Sequence, residues 1–139
     1  MVIADTGFWV ALADRRDGFH DAARTAYAAL REPLVTTWPV VTETCYLFLD
    51  RLGLTPQIEF LGSYAQGAFE IFALERSHAA RIQSLMKQYA DLPMDLADAS
   101  LVILAEQLGH GRILSTDQRD FRTYRWKDRQ PFENLLITQ

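Results

Sequence analysis

Short apolar runs alternate with longer stretches of helical periodicity along this chain, and no internal repeat, low-complexity tract or linker-like segment interrupts them. Residues 2–5 read as a short buried strand and 6–13 as a short helix. An alanine-rich helical pattern covers 20–31 and stops before Pro33, and 34–37 is a second strand. Pro39 sits where a helix's first turn begins, and that helix reaches about Arg51, with Gly53 as its left-handed cap. Pro56 opens another helix running to about Gln66, and 69–74 is a third strand. Ser77 is an N-cap for a helix reaching Tyr89. Asp95 caps the next helix, which ends at Leu108 against Gly109. Residues 112–116 make a fourth strand, and 133–138 a fifth at an edge.

Strands separated by helices need crossover connections. The pattern therefore predicts an α/β fold: a mainly parallel central sheet of four to five strands with helices on both faces. The 139 residues allow one domain with a real core, spanning 1–139, and are too few for two. In open sheets of this kind ligands bind beyond the carboxyl ends of the strands, so the residues just after each strand carry most weight.

Two acids stand there. Asp5 follows Val2-Ile3-Ala4, and Asp117 follows Ile113-Leu114-Ser115-Thr116. Either alone reads equally well as a cap or turn residue. Two more acids fall on apolar helix faces. Glu43 lies three residues after Val40 and four before Leu47, on or beside the stripe Val40, Thr44, Leu47, Phe48. It is either a snorkelling side chain near a helix N-terminus or a ligand. Asp98 is three before Leu101 and four before Val102. Asp95 as N-cap with Asp98 three residues on also resembles a capping box, and the two readings are compatible. Four acids so placed would repel and raise one another's pKa values. A hard divalent cation relieves that conflict, and oxygen-only donors select Mg²⁺ or Mn²⁺ over zinc. His20, His78 and His110 are scattered, with no zinc spacing.

Composition narrows the partners. Hydrophobic residues make up 49% and charged residues 23%, an ordinary globular balance. The formal net charge of −4 argues against gripping polyanions by bulk charge, so any nucleic-acid contact must be local. The segment from Arg112 to Arg129 supplies a candidate: Arg112, Arg119, Arg122, Arg125, Lys127 and Arg129 interleave with Phe121, Tyr124 and Trp126. Arginines pair with phosphate and aromatics stack on unpaired bases. The bland alternative is that the aromatics pack under a loop. The lone thiol, Cys45, with no recognisable signal peptide, leads us to expect a cytoplasmic protein. No apolar run approaches the ~18 residues of a membrane span.

The segments VIADTGFWVAL, TTWPVVTETCYLF, DLPMDLADASLVILAEQLG and ILSTDQRDF, in this order, resemble the PIN domain. Within it they resemble the VapC-like toxins of bacterial toxin–antitoxin pairs. The resemblance covers nearly the whole chain and is most specific in its last two segments. It implies a three-layer α/β/α PIN-type fold, Mg²⁺ or Mn²⁺, and endonucleolytic cleavage of RNA. The family's acids match Asp5, Glu43, Asp98 and Asp117, as catalytic residues and metal ligands. Asp120 competes with Asp117 for the fourth place, and Asp95 is an acid that many members lack. Thr6 and Ser115 match supporting hydroxyl positions, and Arg119, Arg122 and Arg125 become candidate RNA contacts. The resemblance also implies an antitoxin partner and a homodimer. The helices around Trp38 to Tyr64, with Tyr46, Phe48, Leu49, Phe60, Leu61 and Tyr64, offer a surface for either, unless those residues are plain core.

Other α/β phosphoryl hydrolases fit less well. A haloacid-dehalogenase-like phosphatase wants a second Asp two residues after the first, where this chain has Gly7. A receiver domain wants an acid at the end of a central strand and a lysine ending a later one. The strand over 34–37 ends without an acid, and no lysine follows 112–116. A non-catalytic PIN-fold binding module would be marked by loss of an acid, and all four acids are present.

Overall fold

The computed structural model describes residues 1–136. Strands β1 (Val2–Ala4), β2 (Leu34–Thr37), β3 (Phe69–Phe72) and β4 (Arg112–Leu114) alternate with helices. The helices are α1 (Thr6–Ala13), α2 (His20–Ala29), α3 (Trp38–Arg51), α4 (Leu54–Ala65), α5 (Ala79–Gln88), α6 (Leu96–Leu108) and α7 (Gln118–Thr123). Three short strands follow: β5 (Arg125–Trp126), β6 (Gln130–Pro131) and β7 (Glu133–Asn134). The main sheet has the order β3-β2-β1-β4-β7, and every neighbouring pair is parallel. Helices flank it, giving the expected α/β/α arrangement.

The order makes β1 the switch point: the chain winds from β1 out to β2 and β3 on one side, then returns to β4 on the other. A crevice opens at the carboxyl ends of strands where winding reverses. Ile3 pairs with both Val35 and Ile113, so β1 is sandwiched, and its residues are wholly buried and apolar. Burial on both faces explains the unbroken apolar run of a strand that would alternate in a half-exposed sheet.

Helix α6 is apolar on almost every side, with Ala97, Ala99 to Ala105 all buried, and it packs against α3, α5, β2 and β5. Its first turn is fastened to β2. Ser100 Oγ donates to the Ala97 carbonyl at 2.6 Å, so Thr37 Oγ1 is the donor in its own 2.6 Å bond to Ser100.

Several boundaries differ from the sequence pattern. The helix expected over 20–31 stops at Ala29, because Leu30 turns extended ahead of Pro33. Gly53 has a positive φ of 102°, yet it precedes α4 as its N-cap, and Leu52 ends α3. Helix α4 therefore begins at Leu54, with Pro56 inside its first turn, where a missing N–H costs nothing. Ser77 caps nothing. A single 3₁₀ turn, Arg76–His78, comes first, with the amide of Glu75 donating to His78 Nδ1 at 2.9 Å. The strands expected over 69–74 and 112–116 are shorter. The β5–β6 hairpin was invisible to periodicity because each strand is two residues long. The edge strand expected over 133–138 is present as Glu133–Asn134, and the rest of it from 137 onward lies outside the described residues. Among the described residues no helix is long and apolar enough to cross a membrane.

Candidate active site

Asp5 leaves β1 and serves as N-cap of α1. Its Oδ1 accepts the Thr6 amide at 2.7 Å and its Oδ2 accepts Ser115 Oγ at 2.8 Å. The Asp5 amide still donates to Leu114 O at 3.1 Å, so the strand pairing carries the acid to the sheet's edge before the helix begins. Ser115 Oγ also accepts the Asp117 amide at 3.0 Å. Asp117 caps α7, accepting the Asp120 amide at 3.0 Å. Asn134 holds Ser115 from the other side, accepting its amide at 3.2 Å and donating to its carbonyl at 2.8 Å. Sequence reading missed Asn134, since a lone amide near the C-terminus carries no pattern.

From α6, Asp95 caps the helix by accepting the Asp98 amide at 2.8 Å, and the Asp98 side chain turns to the crevice. Asp98 Oδ2 accepts the hydroxyl of Tyr124 at 2.7 Å. From α3, Glu43, Leu47 and Arg51 at i, i+4 and i+8 line the same space, while Val40, Thr44 and Phe48 face the core. Asp5, Glu43, Asp95, Asp98, Asp117 and Asp120 thus share one cavity of about 380 Å³, with Thr6 and Thr116 in its wall. Gly7 permits this closeness: a Cβ there would stand 1.9 Å from Thr116 Oγ1.

Crowding shows in the protonation equilibria. Burial pushes Asp5 up to about 6, against the hydrogen bonds from Ser115 and Thr6, and the charges of Glu43 and Asp117 add to the rise. Burial likewise pushes Asp98 up to about 8, opposed by the Tyr124 bond and reinforced by Asp95, Asp5 and Asp117. Burial also raises Asp117. Among the described residues no three His, Cys, Asp or Glu groups close around one point as a ready-made cation cage. The donor set nonetheless fits a hard cation that keeps most of its waters and needs only one or two carboxylates. All its donors are oxygens, and Thr6 Oγ1 is buried in this wall with no hydrogen-bond partner among the described residues.

The arginines expected to meet RNA divide. Arg119 is largely exposed and donates to Asp120 Oδ1 at 3.1 Å. Arg122 is exposed. Arg125 lies beyond α7, so the three do not share one helical face; its guanidinium donates to the carbonyls of Arg122 and Tyr124 at 2.7 and 2.9 Å. Arg112 sits at the start of β4, away from the crevice, in a two-point pair with Glu32 at 2.5 and 2.8 Å. Phe121 and Tyr124 are buried, and Trp126 is half-buried with its Nε1 donating to Pro131 O at 3.1 Å. The aromatics of this segment pack the hairpin and are not free to stack on bases. The cation that does line the acidic cavity is Arg51, 4.0 Å from Asp17, another lining residue. Its spacing from Glu43 was readable in the sequence, but the face it shares with the acids was not.

The PIN domain family model matches residues 2–127. Ribonuclease VapC26 of Mycobacterium tuberculosis is 32% identical over 127 residues, covering 89% of this chain and 92% of that protein. The crystal structure of Mycobacterium tuberculosis VapC20, described as a sarcin–ricin loop cleaving toxin, superposes with a TM-score of 0.79. It covers 86% of this chain and 92% of that one, at 18% identity, and so speaks for the fold. This chain belongs to the PIN domain family and is VapC-like within it.

Proposed function

We propose that this protein is a Mg²⁺- or Mn²⁺-dependent endoribonuclease, the toxin of a toxin–antitoxin pair, acting in the cytoplasm. The observation that carries this reading is the convergence of Asp5, Glu43, Asp98 and Asp117, from four different elements, on one cavity at the switch point of the sheet. The similarity to a protein named a ribonuclease supports RNA as the substrate. Asp5 and Asp98 would hold the ion, and Glu43 and Asp117 would orient water or hold a second one. The chemistry that Mg²⁺ or Mn²⁺ would supply there is Lewis acidity toward the scissile phosphate and a water. Burial disfavours the charged forms of Asp5 and Asp98, and a cation held between them would relieve that penalty as their protons leave. No side chain need form a covalent bond to phosphorus, and cleavage leaves a 5′-phosphate and a 3′-hydroxyl. Arg119, Arg122 and Arg51 offer guanidinium groups to flanking phosphates, with Ser115 and Thr6 supporting Asp5, and Asp95 and Asp120 supporting Asp98 and Asp117.

Partners follow from exposed apolar surface. Trp38, Tyr46 and Leu49 of α3 and Leu54, Ile58 and Leu61 of α4 are exposed. An apolar cleft of about 370 Å³, between Trp9, Tyr27, Phe48 and Phe60, lies nearby. We assign the first to a homodimer contact and the second to an antitoxin helix laid in a groove. The deciding experiment is cleavage of single-stranded RNA with Mg²⁺, with Mn²⁺ and with EDTA, with the product ends analysed. Metal-dependent cuts bearing 5′-phosphates are expected from the wild type. Asp5→Asn and Asp98→Asn should each lose roughly a hundredfold or more in rate. Cleavage that persists in EDTA, or in both variants, refutes the reading.

A further inference from the structure

We propose that Tyr124 is a positioning residue whose buried hydroxyl sets the Asp98 carboxylate, and with it the spacing of the two acid-bearing helices α6 and α7. This rests on the metal-dependent reading above. Tyr124 is fully buried and is the largest such side chain among the described residues. Its ring packs edge-on against Tyr89 at 5.0 Å and Phe121 at 5.2 Å. A phenylalanine would serve that packing equally well. A hydroxyl in such a place needs a partner, because burying it unpaired forfeits the hydrogen bonds it makes to water. Its partner is Asp98 Oδ2 at 2.7 Å, to which the tyrosine hydroxyl donates. One oxygen of Asp98 is thereby fixed, and the other is left to the cavity.

The bond also joins two elements. Tyr124 ends α7, its amide donating to Asp120 O at 2.9 Å, and Asp117 begins the same short helix. Asp98 stands in the first turn of α6. The tyrosine therefore ties the helix carrying Asp117 to the one carrying Asp98. The next residue is anchored separately: the Arg125 amide donates to Tyr89 Oη at 3.0 Å. Two neighbouring tyrosines thus do different things. Tyr89 pins the backbone of the hairpin, and Tyr124 aims a carboxylate.

Tyr124→Phe keeps the ring and removes only the donor, and Tyr89→Phe removes the hairpin anchor without touching Asp98. Mn²⁺ affinity is measured on each full-length variant by calorimetry, and kcat and KM on a single-stranded RNA. In Tyr124→Phe, Mn²⁺ should bind roughly 10- to 100-fold more weakly, with kcat falling and KM nearly constant, as for other groups that orient a metal ligand. In Tyr89→Phe, the melting temperature should fall while Mn²⁺ affinity stays at the wild-type value. Wild-type Mn²⁺ affinity in Tyr124→Phe overturns the proposal, and so does an equal loss in both variants, which would make the tyrosines mere packing. A wild-type protein that binds no Mn²⁺ overturns the metal reading and this proposal together. A wild type that binds, beside a Tyr124→Phe that binds equally well, overturns the proposal alone.

Discussion

The hydroxyl of Ser115 donates to Asp5 Oδ2 at 2.8 Å, across the parallel pairing of β4 with β1. The same oxygen receives the Asp117 amide at 3.0 Å, so one buried serine links both strand-end acids. Ser115→Ala would leave the buried Asp5 Oδ2 and the part-buried Asp117 amide without this partner, at a cost of about 1–3 kcal/mol. It would also remove a bond that lowers the pKa of Asp5. We expect a lower melting temperature and a cleavage rate reduced by roughly 10- to 100-fold, as for other groups that orient a ligand. Thermal melts and single-turnover cleavage check this, and an unchanged rate would show that Asp5 needs no such support.

The crowded acids give the metal-free protein an unusual pH dependence. Asp5 and Asp98 have folded pKa values of about 6 and about 8, above their ordinary value of 3.8. Between about pH 4 and 8 the folded state therefore binds more protons than the unfolded state. By linkage, stability falls as pH rises through that window and levels off above it. Melting curves in EDTA should be highest near the acid end of the window and lowest near pH 8. Mn²⁺ should raise the melting temperature strongly at pH 8 and little at pH 5, because protonated acids bind it poorly. Asp98→Asn should stabilise the EDTA-treated protein at pH 8 and blunt the Mn²⁺ response. A melting temperature flat across the window would mean that the acids are not electrostatically strained.

Gly7 is tested by filling it. Gly7→Ala places a Cβ 1.9 Å from Thr116 Oγ1 and 3.1 Å from Thr116 Cβ, so Thr116 must turn its side chain and α1 or the turn after β4 must give slightly. Overpacking of this kind costs about 1–3 kcal/mol, and it should separate Asp5 from Asp117. Thr116→Ala in the same chain removes the clashing oxygen and should restore part of the stability, a coupling that a double-mutant cycle measures. Independent, additive losses would mean that the close approach is not what demands glycine.

Two routes for RNA can be told apart by salt. Arg51 lies eight residues from Glu43, about 12 Å along α3, inside the acidic cavity. Arg119 and Arg122 lie on α7 beside Asp120. For single-stranded RNA, every phosphate that is no longer neutralised should reduce the slope of log affinity against log salt by about 0.7. Arg51→Ala and the pair Arg119→Ala with Arg122→Ala should therefore flatten the slope in proportion to the phosphates each neutralises. The loss should appear in KM more than in kcat. Arg125 is excluded because its guanidinium caps carbonyls, and its removal would disturb the hairpin. If Arg51→Ala leaves the slope untouched, RNA does not run along α3.

The layered plan was legible in the amino-acid sequence, because strand burial and helix amphipathicity are local patterns. Val2-Ile3-Ala4 runs straight into Asp5, and Ile113-Leu114 is followed three residues on by Asp117, and parallel topology sends both ends to one edge. Asp5, Glu43, Asp98 and Asp117 were legible for that reason: each breaks a pattern that its neighbours establish. Which side chains serve those acids was set by tertiary packing. Tyr124 read either as a base-stacking aromatic or as packing under a loop, and the fold buries it with its hydroxyl on Asp98. Arg51 marked only the end of a helix and Arg112 belonged to a run of basic residues, and the fold puts one in the cavity and the other against Glu32. Asn134 carried no signal at all. Periodicity reports whether a side chain faces inward, but the partner it meets there is set by contacts between residues far apart in the chain.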